Sequence, residues 1–243
     1  MIAALLAFAG AAEAAKVACP ATHLPPIALP HVQKMLQAKR ELTIVALGSS
    51  TTEGVRASIP ANTYPAILQA ELSAGLPDAH VAVLNRGIGG QDAAEELARM
   101  DAAVLAVGPT LVIWQVGANG AMRGSDPVQF KSLVDTGVRK LEAAGADVIL
   151  MDNQRSPAIL GSPDHAKIDQ ALADIATLDG ARLFARGRLM ELWQDAGHPY
   201  AEFLDKDGVH HNDRGYACMA RTLATTILEG LGVPNTDQLH AAQ

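Results

Sequence analysis

The sequence has no run of Lys and Arg, and its overall balance is acidic, with a net charge of -7. A nucleic acid partner is therefore not expected, since the electrostatic footprint that phosphate binding requires is missing. Beyond the first dozen residues no apolar stretch is both long and charge-free enough to span a bilayer, so no stable membrane insertion is expected of the mature chain. Cysteine occurs twice, at Cys19 and Cys218, with no CxxC spacing, so neither a zinc site nor a redox dithiol is suggested. In an oxidising compartment the two can pair and tie the N-terminal arm to the last helix; otherwise they read as two small buried residues, and both readings stay open. Internal repeats, low-complexity tracts and interdomain linkers are also missing. What remains is 243 residues with 49% hydrophobic content, enough for one domain with a substantial core.

Residues 1–15 read as a signal peptide. Ile2 to Ala12 is an apolar run of mostly Ala and Leu, and Ala12, Glu13 and Ala14 give the small-x-small pattern of a cleavage site. Export to the periplasm or beyond the cell is the expectation. The basic n-region is absent, and an Ala-rich helix on a cytoplasmic protein is the alternative. Lys16, Val17 and Ala18 before Cys19 lack the usual Leu of a lipobox. Residues 16–40 form an extended N-terminal lead-in, because Pro20 to Pro30 is too rich in proline for a helix, and the main domain runs over 41–235.

From Glu41 onward strand-like and helix-like segments alternate. Apolar, β-branched runs place strands at Leu42 to Leu47, Val81 to Asn85, Leu111 to Val116, Val148 to Asp152 and Ala181 to Phe184. Helical patterns fall at Tyr64 to Ser73, Ala93 to Leu105, Val128 to Ala144, His165 to Leu178, Gly187 to Gln194 and Tyr216 to Leu231. This alternation predicts an α/β fold, a three-layer α/β/α sandwich around a doubly wound parallel sheet of about five strands. Right-handed crossovers then gather the strand-to-helix loops on one edge of the sheet, where ligands of such folds bind.

Four of those loops carry chemistry. In LTIVALGSSTTEG, Leu42 to Gly54, a buried strand delivers Ser50 into a tight turn at its carboxyl end. A nucleophile fits that position, and so does a hydroxyl-rich turn capping the next helix. In NRGIGGQD, Asn85 to Asp92, glycines let backbone N-H groups approach an anion; Asp92 stands where a dinucleotide fingerprint needs its third Gly. In VGANG, Val116 to Gly120, Asn119 can aim its amide at the same point or serve the turn itself. In DGVHHND, Asp207 and His210 lie about one turn apart, so the carboxylate can reach Nδ1 and leave Nε2 to take a proton. A helix N-cap at Asn212 is one alternative there. A metal site of His210, His211 and Asp207 is another, disfavoured because adjacent histidines diverge.

Taken in order, GSSTTEG, NRGIGG, GANG and DGVH resemble the four blocks of the SGNH hydrolases, also called the GDSL lipase and esterase family. The similarity extends from about Leu42 to Ala220. It implies a flavodoxin-like fold, Ser50 as nucleophile, His210 as base, Asp207 as its orienter, and an oxyanion hole from the Ser50 and Gly90 amides and the Asn119 side chain. It also implies ester hydrolysis through an acyl-enzyme, with no cofactor and no metal. Ser49 stands in place of the Asp of the GDS motif, and Gly120 in place of the Asp that often follows the block asparagine.

For substrate, the expectation is a small-molecule or glycan ester. Arg56, Arg86, Arg123 and Arg155 lie in or beside successive loops of the expected catalytic edge and would form a positive rim for an anionic substrate. Gln154, Arg155 and His165 flank the loop after the fourth strand and would shape the pocket. An O-acyltransferase with the same triad and a non-catalytic carbohydrate-binding protein are the alternatives to a carbohydrate O-acetyl esterase.

Overall fold

The computed structural model describes residues 17–178 and 180–233. The proposed leader therefore lies outside the described residues. Five parallel strands form the sheet: β1 (Glu41–Gly48), β2 (His80–Gly87), β3 (Leu111–Gln115), β4 (Asp147–Met151) and β5 (Arg182–Phe184), in the order β2-β1-β3-β4-β5. β1 is therefore flanked on both sides, and Gly48 at its end pairs with Gly87 and with Gln115.

Side chains alternate across the sheet, as the two-residue period of a strand requires. Ile44 and Ala46 of β1 join one core with Ile113, Ile149 and Phe184, while Val45 and Leu47 join the other with Val112, Trp114 and Leu150. The first core is covered by α1 (Pro30–Lys39), by α3 (Tyr64–Gly75), which follows the short α2 (Ser50–Glu53), and later by α10 (Arg186–Asp195) and α11 (Asp213–Gly230). The second is covered by α4 (Ala93–Ala98), α5 (Met100–Ala103), α6 (Ala118–Arg123), α7 (Pro127–Ala143), α8 (Pro157–Leu160) and α9 (His165–Leu178). Because both faces are covered, the central strands β1, β3 and β4 are apolar over most of their length, whereas the edge strand β2 is half-exposed.

Three expectations are corrected. The stretch Ala93 to Leu105, read as one helix, is broken at Arg99 (φ -99°, ψ 1°) into α4, α5 and a short 3-10 turn at Leu105–Val107. The cause is tertiary: the Arg99 guanidinium reaches back to the Gly48 carbonyl at 3.1 Å and to Gln91. The lead-in is extended only to Leu29, where Pro30 starts α1 with its ring at a position that lacks an intrahelical N-H partner anyway. Nor does the folded unit begin at residue 41, since Leu24, Ile27, Leu29 and Val32 are buried in the first core. This arm lies along α11, with Ile27 N donating to Thr226 O and a disulfide joining Cys19 to Cys218.

Candidate active site

β1 is buried from Ile44 onward until it delivers Gly48 and Ser49 to the carboxyl edge, and α2 starts at once with Ser50. Packing makes this turn tight. A Cβ on Gly48 would lie 2.3 Å from Thr52 Oγ1, and one on Gly87 would lie 2.0 Å from the Glu53 nitrogen. Neither site accepts a larger residue. Under the turn, Gln115 Oε1 accepts from the Ser49 amide (3.2 Å), the Ser49 hydroxyl (3.3 Å) and the Thr52 hydroxyl (3.1 Å).

The Asp207 to Asn212 loop faces this turn. His210 Nε2 lies 2.9 Å from Ser50 Oγ, and His210 Nδ1 lies 2.8 Å from Asp207 Oδ2. With the carboxylate accepting, Nδ1 carries the proton and Nε2 is left as a base toward the serine. The other oxygen, Asp207 Oδ1, accepts the backbone amides of Val209 (2.9 Å) and His210 (3.0 Å). Burial raises the Asp207 carboxyl, but the bonds from the His210 ring, those two amides and Arg56 outweigh it and hold the group well below the usual carboxylate range. Asn212 caps α11 by accepting from the Gly215 amide, so the cap and the Asp207-His210 pair coexist in one loop. His211 turns the opposite way: it is fully buried, with Nδ1 3.1 Å from the Phe203 carbonyl.

Opposite the histidine lies the glycine loop. Gly90 has a left-handed backbone (φ 80°), and its amide makes no hydrogen bond among the described residues. Asn119, on α6, donates one Nδ2 hydrogen to the Gln91 carbonyl at 2.8 Å, which ties it to the glycine loop and leaves its second amide hydrogen to a ligand.

The expected arginine rim is not a set of free cations. Arg56 pairs with Asp207 (2.9 Å) and Asp205 (3.6 Å), and Arg123 bonds the Gly90 carbonyl (2.7 Å) beside Asp92 and Glu95. Arg86 is bonded to the Ala103 carbonyl, and Arg155 is held inside by Asp169 and Glu191, both at 2.8 Å. Gln154 is 2% exposed and donates to the Val209 carbonyl at 3.1 Å, so it braces the histidine loop rather than lining a pocket. His165 caps its own turn through the Ser162 carbonyl. Apart from the His165 contact, local sequence could not show these pairings, because each partner lies in a different loop or helix.

Three residues that the sequence reading passed over also converge here. Gln115 supports the Ser50 turn, as above. Glu53 Oε2 accepts the Gly89 amide at 2.7 Å, next to Gly90. Arg186 is fully buried behind the turn, donating from Nε to the Asp152 carbonyl (2.9 Å) and from Nη1 to Thr51 Oγ1 (3.4 Å). Glu53 falls one turn after Ser50 on the same short helix, and that spacing was the one available signal.

A serine hydroxyl, an imidazole and a carboxylate in series on the carboxyl edge of a parallel sheet is the layout of the SGNH hydrolase class. The chain belongs to the non-GDSL lipase-like family, whose model matches residues 16–233. It is 32% identical over 112 residues to esterase TesA of Pseudomonas aeruginosa, an overlap of 46% of this chain and 50% of that protein. It is 30% identical over 139 residues to thioesterase 1/protease 1/lysophospholipase L1 of Escherichia coli (strain K12), covering 57% of this chain and 62% of the relative. The chain thus spans less than two thirds of the curated relatives it matches. Among solved structures, a two-domain esterase (CEX) active on acetylated mannans superposes with a TM-score of 0.72 at 22% identity, over 85% of this chain and 54% of that one. The lipase/acylhydrolase from Enterococcus faecalis gives 0.68 at 21% identity, over 80% and 99%. The acetyl xylan esterase AlAXEase gives 0.65 at 22% identity, over 76% and 100%. At these identities the likeness is one of fold.

Proposed function

We propose that the protein is a serine ester hydrolase that removes small acyl groups, acetyl first among them, from carbohydrate. The observation that carries the reading is the unbroken chain from Ser50 Oγ through His210 to Asp207, at 2.9 and 2.8 Å. In the reaction, Ser50 Oγ attacks the ester carbonyl while His210 Nε2 takes its proton, and Asp207 stabilises the imidazolium. The Ser50 and Gly90 amides and the Asn119 side chain receive the oxyanion. The imidazolium then protonates the departing alcohol, leaving an acyl-Ser50 ester. Water attacks that ester with His210 again as base, and the acid and free enzyme are released.

Membership of a lipase-like family supports ester chemistry, and the acetylated mannan and acetyl xylan esterases among similar folds support the choice of glycan. The apolar leader sequence and the Cys19-Cys218 disulfide support an exported enzyme. The test is hydrolysis of p-nitrophenyl acetate, p-nitrophenyl decanoate and an acetylated mannan or xylan, beside Ser50→Ala and His210→Ala. Activity on acetate and glycan that vanishes in both variants is the expected result; decanoate turnover well above acetate overturns the glycan assignment. Product analysis with a competing sugar acceptor separates hydrolysis from acyl transfer.

A further inference from the structure

Arg56 stands in an unusual position: it is a non-glycine residue with a left-handed backbone (φ 73°), six residues after Ser50, and its side chain crosses to the Asp207 loop. Its Nε donates to Asp207 Oδ2 at 2.9 Å, the same oxygen that accepts from His210 Nδ1 at 2.8 Å. With Val209 and His210 amides on Oδ1, the carboxylate carries two donors on each oxygen. We propose that Arg56 is a positioning residue of the active site, which fixes the orienting carboxylate and, as a cation beside the histidine, keeps the imidazole in its base form to lower pH.

Two effects of one contact are involved. A charge-assisted bond to Oδ2 holds the carboxylate against rotation, and so holds Nε2 toward Ser50. Independently, a positive charge near the ring opposes a second positive charge on it. The other charges in reach do not duplicate this: Lys206, next to Asp207 in the same loop, is exposed and makes no bond to the Asp207-His210 pair among the described residues. Asp205, 3.6 Å from Arg56 Nε, and Asp207 favour the imidazolium; Asp213 is bonded to Ser58 and Asn62; Glu53 is bonded to the Gly89 amide; buried His211 is held neutral; and Arg186 lies behind the turn on Thr51. Arg56 is the cation that touches the carboxylate from the solvent side. It is 53% exposed, so its influence should weaken with salt.

The catalytic meaning of this rests on the serine hydrolase reading, so the test has one readout that needs no turnover. His210 ring resonances, assigned by their loss in His210→Asn, are titrated by NMR in wild type, Arg56→Gln and Arg56→Lys; the rate of Ser50 labelling by a fluorophosphonate is followed against pH in the same three proteins. The expected result is that Arg56→Gln moves both midpoints to higher pH by about half a unit to one unit at low salt, that high salt shrinks the gap, and that Arg56→Lys restores most of it. Coincident midpoints in wild type and Arg56→Gln overturn the proposal while leaving the hydrolase reading intact. A shifted NMR midpoint without any Ser50 labelling in wild type overturns the hydrolase reading and leaves the electrostatic role of Arg56 standing.

Discussion

Glu53 Oε2 accepts the backbone amide of Gly89 at 2.7 Å, so the helix that presents Ser50 also grips the loop that presents the Gly90 amide. Ser50 and the Gly90 amide, the nucleophile and an oxyanion donor of the proposed mechanism, are thereby placed by the same four-residue element. Removing the carboxylate frees a peptide that must be held to within a fraction of an ångström for electrostatic stabilisation to work. Glu53→Ala should lower kcat on p-nitrophenyl acetate about 10- to 100-fold, the scale of one charge-assisted hydrogen bond, with KM little changed. Glu53→Gln keeps an acceptor and should fall between the two. A fall in kcat/KM that comes wholly from KM would show that Glu53 contacts substrate instead.

Ser49 occupies the position where the GDS motif carries an acid, and Gln115 explains how the turn works without one. Gln115 Oε1 receives the Ser49 amide and hydroxyl, so an Asp at 49 would set a carboxylate against an acceptor oxygen in a buried turn. Ser49→Asp should therefore destabilise the protein by about 1–3 kcal/mol, read as a lower midpoint in urea. An unchanged midpoint would mean that the Gln115 amide turns over to meet the acid.

Two buried groups set opposing pH dependences of stability. Burial lowers His211 from 6.5 to about 3 and raises Asp152 from 3.8 to about 7. Between 3.8 and 6.5 the unfolded chain holds a His211 proton that the native state lacks, so this group adds stability as pH rises. Over the same window the native state holds an Asp152 proton that the unfolded chain lacks, so that group removes stability as pH rises. These two slopes oppose each other, and buried Glu96, whose carboxyl burial also raises, adds a second falling slope. His211→Asn removes the rising contribution, so its stability should fall relative to wild type as pH rises, by on the order of 1 kcal/mol per pH unit. Urea midpoints at several pH values check this; parallel profiles for the two proteins would contradict it.

The Cys19-Cys218 bridge joins residues 199 apart in sequence and fixes the N-terminal arm onto α11, whose preceding loop carries His210. Closing so long a loop restricts the unfolded chain strongly. Replacing both cysteines by Ala should cost about 2–5 kcal/mol in stability while leaving kcat within about twofold, since the bridge lies at the arm and not among the reacting groups. A large loss of kcat with stability intact would place the arm in the mechanism.

The five strands, the order of the four loop motifs and the residues that meet at Ser50 were legible in the sequence, because continuous apolar runs such as Leu42 to Leu47 have one burial pattern open to them. Right-handed crossovers then bring the loops after them to one edge whatever the details of packing. The apolar spacing of Ala93 to Leu105 was equally clear, yet the helix breaks at Arg99, whose side chain bonds the end of β1. Likewise the charge of Arg56, Arg123 and Arg155 was plain from composition, but their counter-charges lie tens to more than a hundred residues away or across a loop. Periodicity and motif order are properties of neighbours in the chain, and they fix the layers and the side chains that gather at Ser50 before any packing is known. Pairing of a charge with its partner, as of Arg56 with Asp207 or Glu53 with Gly89, depends on which loops the sheet brings together, so it emerges with the fold alone.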